Sequence, residues 1–171
     1  YGLPLSDVPG IETYDDLKDP QNARKMGQAM AARFRRGEVA NNLHVNGLIM
    51  NAFLMTGEAK YKNWLPDYIG VWLERARQNG GLMPDNVGLN GQVGADHNGK
   101  WYGGLYGWTW PHGFYNLGFA AITAANNAYL LSHDAAYFEL PRHMMDAIMD
   151  QGVVDNFDVR KKAISIAAHY I

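Results

Sequence analysis

Apolar positions recur at helical spacing through most of the chain. Met26, Met30 and Phe34 lie four apart behind Asp19-Pro20, with proline at the first helical position. That pattern predicts a helix from Pro20 through Arg36, stopped by Gly37. Leu43, Leu48, Ile49, Ala52 and Phe53 form a second stripe, predicting a helix from about Glu38 to Met55. Its remaining positions are rich in amides, with Asn41, Asn42, Asn46 and Asn51 beside His44. Trp64, Tyr68, Trp72 and Ala76 mark a third helix over Glu58 to Gln78. Pro66 sits inside it and should kink or restart it, because proline lacks the N–H and crowds the preceding turn. Further on, Phe114, Leu117, Ala121, Ala124, Ala125 and Ala128 predict a helix over His112 to Leu131 that a neighbour can approach closely. Another helix is expected over Asp134 to Gln151, interrupted by Pro141, and a last one from Asp155 or Asn156 to Ile171. Residues 1–19 show no period and are expected to form an extended arm.

The periodicity breaks between Asn79 and Gly113. Ten of the nineteen glycines and three of the five tryptophans fall in this stretch. Asn90-Gly91 between Val87 and Val93 predicts a small β-hairpin closed by a type I′ turn, which needs positive φ at both central residues. A connection of this length in a compact domain is functional or disordered. The density of aromatics argues against disorder.

Composition narrows the class. At 171 residues, 47% of them apolar, the chain can bury a core of its own. The net charge of −2 gives no global field for nucleic acid or an anionic membrane, and no run of residues is apolar enough for membrane insertion. Arg33, Arg35 and Arg36 read as a solvated helix end. Without cysteine, disulfides and thiol chemistry are excluded, while the compartment stays open.

The helices repeat. Asn51 to Tyr61 and Asn127 to Tyr137 share five of eleven residues at an offset of 76, with Phe/Tyr, Thr/Ser and Glu/Asp replacements at three more. Leu65-Pro66 and Leu140-Pro141 follow them. This predicts a duplicated helical hairpin whose copies bury each other's faces, with the long loop inserted between them. Stacked hairpins with the turn written in Ala52 to Tyr61 and Ala128 to Tyr137 resemble the α/α toroids of carbohydrate-active enzymes, including glycoside hydrolases, unsaturated glucuronyl hydrolases and polysaccharide lyases. The expected fold is therefore all-α: stacked helical hairpins of a partial α/α toroid, with one long glycine- and aromatic-rich loop carrying the β-hairpin. The organisation would be an arm (1–19), hairpins (20–78), the inserted loop (79–111) and a second helical unit (112–171). A full toroid needs about twice as many helices, so the resemblance implies that missing chain or another subunit completes it. It also implies a secreted or periplasmic setting, although composition leaves the cytoplasm open.

The loop carries the candidate chemistry. Flat Trp and Tyr rings cover the C–H faces of sugars while their N–H and O–H groups stay free for hydroxyls. Trp101, Tyr102, Trp108 and Trp110 are thus candidate carbohydrate-binding residues, with Asn86 from the loop and Asn42 and His44 from the amide-rich helix. Asp85 and Asp96 could pair for glycosidic hydrolysis. His97 or His112, with Tyr106 or Tyr102, could instead serve β-elimination next to a uronate. His112 falls at an expected helix start, a common place for a purely structural residue. No metal-ligand spacing is diagnostic, and no cofactor is expected. Two alternatives stay open: a non-catalytic glycan-binding module, and a toroid for an apolar, terpenoid-like substrate.

Overall fold

The computed structural model describes residues 3–34, 37–110 and 112–152. The expected helix over 155–171 lies outside them, as do Arg35 and Arg36. The described residues are mostly helical, so the fold is all-α. Five α-helices follow in order: α1 (Pro20–Phe34), α2 (Val45–Thr56), α3 (Ala59–Gln78), α4 (Gly113–Ser132) and α5 (Glu139–Asp150). Two short strands, β1 (Gly37–Glu38) and β2 (Val87–Gly88), pair antiparallel with Gly37 opposite Gly88 and Glu38 opposite Val87.

The two hairpins are built alike at their turns. In the first, Thr56 Oγ1 donates to the Ala52 carbonyl at 2.7 Å and accepts the Glu58 N–H at 3.2 Å. In the second, Ser132 Oγ donates to the Ala128 carbonyl at 2.8 Å and accepts the Asp134 N–H at 3.1 Å. Gly57 and His133 take the same left-handed conformation, φ 67° and 57°, and send their N–H groups to Phe53 and Tyr129. Each hydroxyl therefore both closes one helix and opens the next. The alanines of α4 (Ala120, Ala121, Ala124, Ala125, Ala128) are fully buried and bring its axis close to its neighbours. Ala120, Ala121, Ala124 and Ala128 share one core with Leu43, Leu65, Ile69, Trp72, Leu117, Leu140 and Met144.

Several expectations are corrected. The second helix does not begin near Glu38. Glu38 is tied into the two-strand ladder, a 3-10 turn follows over Ala40–His44, and α2 starts at Val45. Pro66 does not restart α3, which is one continuous helix over 20 residues. Pro141 differs, because it lies in the first turn of α5, where no N–H is needed. The arm is not simply extended. It carries a 3-10 turn at Tyr14–Lys18, and Leu5, Val8 and Ile11 form a second small core with Met26. Arg33 is not a solvated helix end: it ion-pairs with Asp7, which also holds Lys100 at 3.0 Å.

The hairpin in the loop is reduced to one bridge, Val87 to Val93. Its turn runs over Gly88 to Gly91, closed by the Gly91 N–H on the Gly88 carbonyl at 2.9 Å. Gly91 has φ 80° while Asn90 stays at negative φ, so the expected type I′ turn is not formed.

Candidate functional site

The inserted loop is organised around a carboxylate. Asp85 is fully buried behind Pro84. Its Oδ1 accepts the Gly104 N–H at 2.8 Å, and its Oδ2 accepts those of Trp108 at 2.8 Å and Gly103 at 3.2 Å. Its own N–H bonds the Trp101 carbonyl at 3.0 Å. Asn86 extends the hub, with its side-chain nitrogen 3.2 Å from Asp85 Oδ1, 3.1 Å from the Lys100 carbonyl and 3.2 Å from that of Tyr102. Burial raises the Asp85 pKa, against the opposing pull of the backbone donors. Gly104 and Gly107 make the approach possible. A Cβ at Gly104 would fall 1.9 Å from the Asp85 carbonyl oxygen, and one at Gly107 2.0 Å from Oδ2.

The aromatics then divide. Trp108 is buried and donates its Nε1–H to the Met83 carbonyl at 2.7 Å. Trp101 is half-buried between Trp108 and Tyr102, edge-on to both, at 6.3 and 5.4 Å between ring centres. These rings and Asp85 form the loop's own core. Tyr106 and Trp110 turn the other way. Tyr106 is exposed, its ring 5.1 Å from that of Trp110, and its backbone sits in the left-handed region at φ 56°. Its carbonyl accepts from the Asn116 side chain in the first turn of α4. Trp110 is half-buried, with its Nε1–H enclosed and unpartnered. His112 caps α4 as an exposed residue without a side-chain cap bond.

His97 lies inside. Its Nε2 is 3.2 Å from the Gly103 carbonyl, which assigns the proton to that nitrogen, and its Nδ1 has no partner. Burial, followed by the charge of Arg33, lowers its pKa and so favours the neutral ring. Asp96 is half-buried and lines a small crevice with His97, Asn86, Arg33 and Glu38.

A separate groove of about 610 Å³ runs between α2 and α3. It is lined by Asn41, Asn42, His44, Leu48, Trp64 and Tyr68, with Glu38 at its edge. Trp64 and Tyr68 stack at 4.5 Å and 16°. The Tyr68 hydroxyl donates to Glu38 Oε1, and Arg75 approaches Oε2 at 3.5 Å. Burial and that carboxylate push the Tyr68 phenol well up.

The proposed site residues therefore fall into three places. Asp85, Asn86, His97, Trp101, Trp108 and the half-buried Tyr102 build the loop's interior, with Asp96 at the crevice beside them. Tyr106, Trp110 and His112 lie at the N-terminal end of α4. Asn42 and His44 line the groove. A hydrolytic pair of Asp85 and Asp96 is not presented to a common ligand, because both Asp85 oxygens are occupied by N–H donors and fully enclosed. Sequence reasoning missed Glu38, Trp64, Tyr68 and Arg75 as a group. Trp64 and Tyr68 were hidden in what read as a core stripe, and the partnership of Glu38 with α3 has no local signature. Among the described residues, no three His, Asp or Glu side chains converge on a metal position, and no helix is long and apolar enough to cross a membrane.

No curated protein and no solved structure matches the sequence. One family model does match, over residues 1–170, and with nearly the whole chain covered the protein belongs to that family, the domain of unknown function DUF8034.

Proposed function

We propose that the chain is a partial α/α toroid that binds a poly- or oligosaccharide at the rim where the loop enters α4. The observation that carries this is Tyr106. A bulky residue is held at φ 56° with its ring exposed and 5.1 Å from Trp110. A non-glycine residue there costs about 1–2 kcal/mol, and such strain persists where the surrounding structure over-determines it, commonly at ligand sites. The pair offers an apolar surface for a sugar face. The exposed His112 imidazole and the Asn116 amide offer partners for its hydroxyls.

With Asp85 committed to the loop's interior, the geometry favours binding, or elimination served by His112 and the Tyr106 phenol, over two-carboxylate hydrolysis. Tryptophan fluorescence titrated with neutral, acidic and uronate-containing glycans tests the reading. A saturable change that disappears in Trp110→Ala supports it. A flat response across the panel, with neither new reducing ends nor unsaturated-uronate absorbance, would sink it.

A further inference from the structure

The internal repeat makes the two hairpins comparable position by position, and that comparison exposes an unfilled face. At the offset of 76, Asn46 and Phe53 of α2 correspond to Ile122 and Tyr129 of α4, and Leu43, in the 3-10 turn before α2, falls level with Phe119. In the first hairpin this face is occupied: α4 packs on α2 and on the turn before it, Asn127 donates to Asn46 Oδ1, and Leu43 and Asn46 are both 0% exposed. In the second hairpin the corresponding face is open. Phe119 is 63% exposed, Ile122 48% and Tyr129 37%. The α4 sequence contains no charged residue, so nothing on this face resists burial.

The opposite comparison finds the matching surface. The side of α4 that meets the first hairpin includes Ala124 and Asn127, and their counterparts on α2 are Leu48 and Asn51. Both counterparts are exposed, and Leu48 also lines the open groove between α2 and α3. One chain thus carries the two halves of a joint that it already makes once internally.

We infer that the outer face of α4 docks a second copy of this chain, head to tail, against the Leu48–Asn51 side of that copy's α2. Repeat proteins stack through such nearest-neighbour faces, and a heterologous contact of this kind either closes into a ring or propagates. An exposed apolar stripe rather than a paired one is the mark of an interface. The inference stands apart from glycan binding, since it uses neither Tyr106 nor Trp110.

Sedimentation of the full chain over a concentration series tests it. Self-association is expected, and Phe119→Glu and Leu48→Glu should each weaken it roughly tenfold or more. Circular dichroism should show both variants folded, because both side chains are on the surface. The decisive sample mixes the two variants. A head-to-tail joint leaves one intact junction between a Leu48→Glu copy and a Phe119→Glu copy, so a heterodimer should form with near wild-type affinity. Three results would overturn the inference. One is a monomer at the highest attainable concentration, as when residues 153–171 of the same chain or an unrelated helical partner cover α4. Another is a dimer sensitive to Phe119→Glu but indifferent to Leu48→Glu, which is a symmetric pairing. The third is a mixture that does not recover association.

Discussion

The Asp85 carboxylate accepts the backbone N–H of Trp108 at 2.8 Å, across 23 residues of chain. With Gly103 and Gly104 on the same carboxyl group, one side chain closes most of the inserted loop. Asp85→Asn keeps the size but places an NH₂ where an N–H already points. The expected cost is about 1–3 kcal/mol, the penalty for leaving a buried donor unpaired. Thermal unfolding followed by tryptophan fluorescence reads it. A melting temperature unchanged from wild type would remove Asp85 from its place as the loop's hub.

Gly107→Ala should be worse than its size suggests. The added Cβ would lie 2.0 Å from Asp85 Oδ2, in a buried place with no room to yield. Loss of soluble expression, or a disordered loop by hydrogen exchange, is expected. Gly27→Ala provides the control, since nothing lies within 4 Å of a Cβ there.

His97 makes stability depend on pH. Its folded pKa lies below the ordinary 6.5, because burial disfavours the imidazolium. The unfolded chain therefore takes up a proton first. Stability should be constant above about pH 7 and decline as pH falls through 6.5. His97→Gln should flatten that part of a urea-denaturation series measured from pH 8 to 5. An identical decline in the variant would locate the pH dependence elsewhere.

Asp7 adds a second step in stronger acid. Burial opposes its ionisation, but hydrogen bonds from Arg33 and Lys100 outweigh that and hold its pKa below 3.8. Its contribution is present above the unfolded value and is lost as pH falls through the folded one. The arm, residues 3–18, should lose hydrogen-exchange protection below about pH 4 while α2 to α5 keep theirs. Asp7→Asn should produce the same local loss at neutral pH, at a cost of about 1 kcal/mol, since the pair is only partly shielded from water. Protection unaltered by either change would show that Leu5, Val8 and Ile11 hold the arm without the ion pairs.

Tyr106→Gly separates strain from binding. Glycine adopts φ 56° without penalty, so the variant should hold or gain up to about 1 kcal/mol of stability. If the exposed ring is there for a ligand, glycan-induced fluorescence change should fall at the same time. Unaltered binding would mean the strained residue serves only the local turn.

The helices were legible because their signals are local. Asp19-Pro20 opens α1, with the Asp19 carboxylate accepting the Gln21 N–H at 2.8 Å, and the Thr56 and Ser132 turns repeat in sequence as they do in space. The loop's aromatics were legible as a group but not in their directions. Trp108 and Trp110 are two residues apart, yet one is buried and the other faces the α4 end. What decides between them is a carboxylate whose partners are backbone N–H groups, and backbone donors leave no trace in residue identity. Asp85 therefore resembled a catalytic acid. Glu38 escaped notice for a related reason: its contacts with Tyr68 and Arg75 join residues that only the two-strand ladder brings together.

The ion pair between Asp7 and Lys100 spans 93 residues. During synthesis the arm and α1 are made before the loop that carries Lys100. The hairpin of α2 and α3 can close while Asp7 holds only Arg33, because contacts distant in sequence form only after the chain between them exists. The charge cluster that anchors the arm is thus completed only after the loop is made. Until the loop is made, the arm rests on α1 alone, through Leu5, Val8, Ile11 and Met26 and the Arg33 pair.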